Sequence, residues 1–185
     1  MTDRLARYGP TARVLHWLGV AFVVILIPAG VIMTQGGLPR DLQNTLFILH
    51  KNLGVAAITL IAVRLIWRSW HGAPAFPASL PMWQKQAARI SHGALYVLLV
   101  ILPVSGYLRV RAGGFPIEML DAMGIGTLVP QSETLETAAQ TVHWAAGLVL
   151  MGLIAVHVGA ALLHALRNDG VMRRIWPPLG RRDAA

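Results

Sequence analysis

The chain contains no cysteine, which excludes disulfides, thiolate-held iron–sulfur clusters and thiol catalysis. Charge is also scarce: 13% of the 185 residues are charged and 55% are hydrophobic, whereas soluble domains carry about 25% charged residues. The longest apolar stretches contain no Asp or Glu at all, so paired-carboxylate chemistry and a carboxylate-rich zinc or copper site inside them are disfavoured. No phosphate loop, nucleophile triad or dinucleotide fingerprint occurs, which argues against soluble nicotinamide chemistry. Internal repeats, low-complexity tracts and domain linkers are missing too, and a single domain over 1–185 is the economical expectation.

What the chain does have is long hydrophobic runs. About 20 apolar residues cross the hydrocarbon of a bilayer, and four segments qualify, 14–33, 46–67, 90–110 and 141–163. With their flanks they predict helices over 12–34, 44–68, 88–110 and 138–167. The fold expected is an all-α membrane protein, a bundle of four transmembrane helices. The second run is the weakest, because His50, Lys51, Asn52 and Arg64 interrupt it. The first is longer than the apolar core of a secretory signal, and no cleavage site follows it, so it is expected to persist as a helix. Pro28 and Pro103 fall inside runs one and three, where neighbouring helices can satisfy the freed carbonyls and a kink is expected.

The basic residues set the expected orientation. Arg4, Arg7 and Arg13 precede the first run, Arg64, Arg68, Lys85 and Arg89 surround the second link, and Arg167, Arg173, Arg174, Arg181 and Arg182 follow the last run. These are twelve of the sixteen Lys and Arg residues. By the positive-inside rule both termini are expected in the cytoplasm and the protein in the bacterial inner membrane as a multi-pass chain. The other side holds Arg40, Lys51, Arg109 and Arg111, beside a loop with Glu118, Asp121, Glu133 and Glu136. The net charge of +8 then reflects topology and attraction to anionic lipid headgroups, not nucleic-acid binding.

Histidines at membrane depth are the chemical signal, because polar groups in lipid are costly and mark function. On this topology His16 and His157 lie near the cytoplasmic level, and His50 and His143 near the outer level. His143 and His157 are fourteen residues apart, about 21 Å along one helix. Two depth-matched pairs result, His50 with His143 and His16 with His157. Each pair suits the two faces of a porphyrin iron, giving two b-type haems clamped between helices. Gly54 and Gly147 each follow a proposed ligand by four residues and would leave flat space beside it, although glycines also serve close helix packing. Proton relay and a non-haem metal site are the competing readings of the histidines.

These residues resemble the bacterial cytochrome b561 family of four-helix, dihaem, quinone-linked membrane cytochromes. The resemblance runs through YGPTARVLHWLGV, ILHKNLGVAAITLIAVRLIWR, ARISHGALYVLLVILPVSGYL and VHWAAGLVLMGLIAVHVGAALLHALRNDGVMRRIWP, nearly the whole chain. It implies His16, His50, His143 and His157 as axial ligands. Where the family often has two adjacent histidines after the fourth span, this chain has His164 followed by Ala165. Family members include superoxide oxidases that pass electrons from periplasmic superoxide through the haems to ubiquinone. On that reading Lys51, Arg109 and Arg111 would steer the anion, unless they are interfacial anchors. His164 would bind quinone at the cytoplasmic boundary, unless it simply meets headgroups. Arg13, Arg64, Arg68 and Arg89 are candidates for the inner haem's propionates. His92 is left without a depth-matched histidine and is assigned to haem-pocket support, His71 to solvent. Trp17 and Trp144, each following a proposed ligand, would wall the pockets unless they serve ordinary helix packing, while Trp67, Trp70, Trp83 and Trp176 would anchor the interfaces.

The expected function is electron transfer across the membrane, from superoxide to ubiquinone. The alternatives are a cytochrome b subunit linking a periplasmic dehydrogenase or hydrogenase to the quinone pool, and a haem-free transporter or structural bundle.

Overall fold

The computed structural model describes residues 7–177. Of the basic residues used for orientation, Arg4, Arg181 and Arg182 lie outside the described residues. The elements are α1 (Pro10–Ile32), α2 (Arg40–His71), α3 (Met82–Ala112), a short α4 (Glu118–Ala122), α5 (Glu133–Arg167) and a 3-10 turn (Met172–Arg174), with no strand among the described residues. The four long helices are each long and apolar enough to cross a membrane.

Three of them outrun their apolar cores. Helices α2, α3 and α5 hold 32, 31 and 35 residues, or about 47–53 Å at 1.5 Å per residue. Their ends therefore carry polar residues out of the hydrocarbon. Local chemistry sets those limits. Ser132 caps α5 by accepting the Leu135 amide at 3.3 Å, and Glu133 and Glu136 in the first turn suit the helix dipole. Prolines 39 and 81 precede α2 and α3, where φ is pre-set and no amide is needed. Gly72 ends α2 at φ +65°, a conformation L side chains rarely adopt. Pro28 and Pro103 sit inside α1 and α3, and both helices run on through them.

Helix α1 packs on α2 and α3 packs on α5, with α2 joining the two pairs through α3. Cross-helix contacts show α1 to run antiparallel to α2, and α3 to α5. On α1 and α2, His50 meets Leu26 whereas Arg64 meets His16; on α3 and α5, His143 meets Leu102 whereas His157 meets His92. The bundle therefore has a terminal end, with the starts of α1 and α3, and an opposite end carrying α4. Few residues of the four spans are buried, and Val24, Ile90, Val149 and Val156 among others face outward. Lipid is the solvent such a surface requires, since bilayer helices pack by shape without a hydrophobic drive between them.

The two ends are tied differently. At the α4 end, Lys51 Nζ lies 2.7 Å from Glu118 Oε1 and donates to the Pro116 carbonyl, while Asn52 donates to Glu118 Oε2 and accepts the Met119 amide. Arg111 pairs with Asp121 at 2.6 Å. At the terminal end, buried Arg174 donates to the carbonyls of Pro74 and Ala75 and lies over the rings of Tyr8 and Phe76. The Trp17 indole donates to Ile175 O at 2.8 Å, closing the chain after α5 against α1.

Candidate functional site

Toward the α4 end, His50 on α2 and His143 on α5 bring their rings to 6.1 Å between centroids, at an interplanar angle of 79°. These two helices are not among the packed pairs of the described residues, so the rings reach toward each other across a gap. Both Nδ1 atoms are engaged. That of His50 lies 3.0 Å from Leu26 O, and that of His143 lies 2.9 Å from Leu102 O and 3.2 Å from Ser105 Oγ. A carbonyl only accepts, so Nδ1 carries the hydrogen in each ring and Nε2 keeps its lone pair. This is the tautomer of a metal-ligating histidine with an oriented outer hydrogen bond.

The spacing also fits. Two metal–nitrogen bonds of about 2 Å, plus the distance from nitrogen to ring centre on each side, place bridged imidazole centroids roughly 6 Å apart. Two glycines make the ring positions possible. A Cβ on Gly30 of α1 would stand 2.8 Å from His50 Cε1, and one on Gly106 of α3 would stand 3.2 Å from His143 Cε1. Sequence reasoning missed both; the findable signal was their depth, each lying on a neighbouring helix at the level of a ligand. Gly54 and Gly147, chosen instead, border open space: a Cβ would meet nothing within 4 Å at Gly54 and only Leu102, at 3.9 Å, at Gly147. Flat room beside both imidazoles is what a porphyrin needs.

Toward the terminal end three histidines gather. The rings of His92 and His157 lie 5.4 Å apart: His92, for which the depth argument leaves no unassigned partner, stands level with the His157 already paired to His16, because α3 and α5 are antiparallel packed partners. His16 does not face His157 as a ring pair. Its Nδ1 lies 2.9 Å from Arg64 Nη2, and because guanidinium only donates, the hydrogen of this ring sits on Nε2. Ligation through Nε2 requires that donor to withdraw.

Cations surround the cluster. Arg64 lies over the Tyr96 ring at 5.3 Å, Arg68 reaches the Tyr8 hydroxyl at 3.3 Å, and Arg13 leaves a buried Nε without a hydrogen-bond partner. No carboxylate pairs with Arg13, Arg64 or Arg68 among the described residues. Unpaired cations near lipid call for an anionic partner, and propionates are such anions. Arg89, the fourth candidate, lies over the Phe76 ring instead.

The remaining expectations fare unevenly. Lys51 and Arg111 are closed into ion pairs with Glu118 and Asp121, which removes them as free cations for steering; the loop fold that supplies those carboxylates was invisible in the sequence. Arg109 makes no ion pair among the described residues, and its charge acts on both His50 and His143. His164 is hydrogen-bonded through Nδ1 to Asp169. Trp144 is 66% exposed on α5. Trp17 meets His16 edge-on at 5.7 Å. His71 is exposed, as expected, and stacks on Trp67 at 3.9 Å.

A four-span helical bundle with two close imidazoles, each with its Nδ1 hydrogen held by a carbonyl and its Nε2 lone pair left free, fits a class, the membrane cytochromes that carry haem between helices. The sequence profile of prokaryotic cytochrome b561 matches residues 7–178, and the chain belongs to that family of b-type haem, electron-transferring membrane proteins. It is 27% identical to Cytochrome b561 homolog 1 of Escherichia coli (strain K12), over 92% of this chain and 97% of the relative. It is 29% identical to Cytochrome b561 homolog 2 of the same organism, over 94% and 93%. A third relative, Probable superoxide oxidase CybB of Yersinia pestis, is 26% identical over 88% and 92%.

Proposed function

We propose that the protein carries two b haems and moves electrons across the bacterial inner membrane, from superoxide outside to ubiquinone near the cytoplasmic face, with both termini cytoplasmic. The observation that carries this reading is the His50–His143 pair, facing at 6.1 Å with both Nδ1 hydrogens committed to carbonyls. His16 and His157 take the inner haem, with His92 beside them. Similarity to a probable superoxide oxidase supports the choice of donor.

Haem held by these histidines would supply one-electron redox chemistry of the outer-sphere kind. The rest is the work of the chain. Leu26 and Leu102 carbonyls fix the outer ring tautomers. Helix α5, holding His143 and His157 about 21 Å apart, spaces the two sites. Arg109 draws an anion to the outer site, while Arg13, Arg64 and Arg68 offer positive charge to carboxylates at the inner one. Two superoxide anions give two electrons and two molecules of oxygen; ubiquinone takes those electrons with two protons to become ubiquinol.

The test is superoxide-driven reduction of ubiquinone by purified protein in liposomes, followed as quinol formed. Quinol formation that stops when superoxide dismutase is added supports the reading. Haem that superoxide does not reduce overturns the assigned donor.

A further inference from the structure

Beyond the last turn of α5 the chain reads Asn168, Asp169, Gly170, and it turns sharply there. Asn168 adopts the left-handed conformation at φ +51° and Gly170 follows at φ +84°. The turn brings the Asp169 carboxylate back onto His164 Nδ1, five residues earlier. Asp169 Oδ1 accepts the Val171 amide at 3.1 Å, so one oxygen anchors the turn while the other holds the imidazole. Burial alone would raise the Asp169 carboxyl, but the hydrogen bonds from His164 and Val171 outweigh it and keep the group below the usual carboxylate range. An ionised carboxylate only accepts. His164 therefore carries its hydrogen on Nδ1, and Nε2 is the nitrogen left for a substrate.

Of the other charges at this end, Arg167, on α5 itself, acts on Asp169 through its charge, and the rest are turned elsewhere. In the 3-10 turn, Arg173 donates to Asn168 and Arg174 to the Pro74 and Ala75 carbonyls. On α3, Lys85 donates to Ala78 O and Arg89 lies over Phe76. Asp169 is thus the carboxylate that His164 meets among the described residues.

We propose that Asp169 is a positioning residue for proton delivery to the quinone, locking His164 in the tautomer and orientation that present Nε2 to a quinone oxygen. This rests on the reading of His164 as the quinone-binding histidine. The quinone is reduced by two electrons delivered singly from inner-haem iron, which is oxidised each time. As each quinone O–H bond forms, an Nε2–H bond of a doubly protonated His164 breaks, and cytoplasmic water returns the proton. Asp169 keeps the Nδ1 hydrogen throughout, so repeated transfers pass through the same nitrogen.

The experiment compares wild type, Asp169→Asn, Asp169→Glu and His164→Gln, each as full-length haem-loaded protein. The reduced protein is mixed with a short-chain ubiquinone analogue, and kcat and KM are obtained from haem reoxidation. In parallel, 15N NMR of the His164 ring, in wild type and the Asp169 variants, reports which nitrogen carries hydrogen. Expected are an Nδ1–H ring in wild type and loss of that single tautomer in Asp169→Asn. The same variant should lose about tenfold or more in kcat, as for a mispositioned general acid, with KM and haem spectrum little changed and partial recovery in Asp169→Glu. Slow turnover in His164→Gln with wild-type kcat and tautomer in Asp169→Asn overturns the role of Asp169 alone. Wild-type turnover in His164→Gln overturns the quinone reading beneath it. Slow turnover in Asp169→Asn accompanied by altered haem bands marks a merely structural residue and overturns the proposal.

Discussion

Lys51 and Glu118 join α2 to α4 through a 2.7 Å ion pair one residue from His50, so the loop between α3 and α5 is fastened directly beside that histidine. Asn52 adds two hydrogen bonds to the same turn. The latch ties this end of α2 to the loop.

Its pH dependence has a definite sign. Burial raises the Glu118 carboxyl, but hydrogen bonds from Lys51 and Asn52 outweigh it and hold the group below its ordinary value of 4.5. A carboxyl depressed by folding contributes stability that is complete above the unfolded pKa and is lost as pH falls through the folded one. Thermal melts should find this contribution constant from neutral pH to about 5 and falling below about 4.5. Glu118→Gln should flatten that part of the curve; an unchanged acid limb in the variant would remove Glu118 as its source.

Glycine substitutions separate protein packing from cofactor packing. Gly30→Val should displace His50, since its Cβ would stand 2.8 Å from the ring, and the outer haem should be lost. Gly106→Ala, with 3.2 Å to His143, should give a milder loss. Gly54→Ala clashes with no protein atom, so reduced haem content in that variant reports the haem itself. Full haem content in Gly54→Leu would contradict the placement.

Arg64 tests the inner site. A cation beside a haem favours the reduced iron, because local charge is one of the terms that set potential. Arg64→Gln should lower one of the two haem potentials and leave the other near its wild-type value in a redox titration. Equal shifts in both, or none, would detach Arg64 from the inner haem.

Arg109 is the cation left near the outer ligands. Arg109→Gln should slow haem reduction by superoxide several-fold at low ionic strength, with the difference shrinking as salt screens the field. Lys51→Gln should act mainly on stability through the latch. A rate loss in Lys51→Gln that matches Arg109→Gln at unchanged melting temperature would reverse this assignment.

The four spans were legible because a bilayer imposes long apolar runs, and the nearness of His50 to His143 because depth follows from counting along those runs. Which helix faces meet is a matter of packing, and the errors lie there. His92 was left unpartnered although α3 and α5 bring it level with His157. Gly54 and Gly147 were sought on the ligands' own helices, while Gly30 and Gly106 across the interface set the rings. Lys51 and Arg111 read as free cations until the loop between α3 and α5 folded Glu118 and Asp121 onto them. Asp169 reads in the sequence only as part of the family-like tail, because its contact with His164 depends on a left-handed residue at the end of α5.

The most direct measurement is a reduced-minus-oxidised visible spectrum of the purified protein, with haem extracted and counted per chain, for wild type and the His50→Ala/His143→Ala double variant. The account predicts two low-spin b haems in wild type and one in the double variant. Colourless wild-type protein from haem-sufficient cells, or a double variant that keeps both haems, would contradict it.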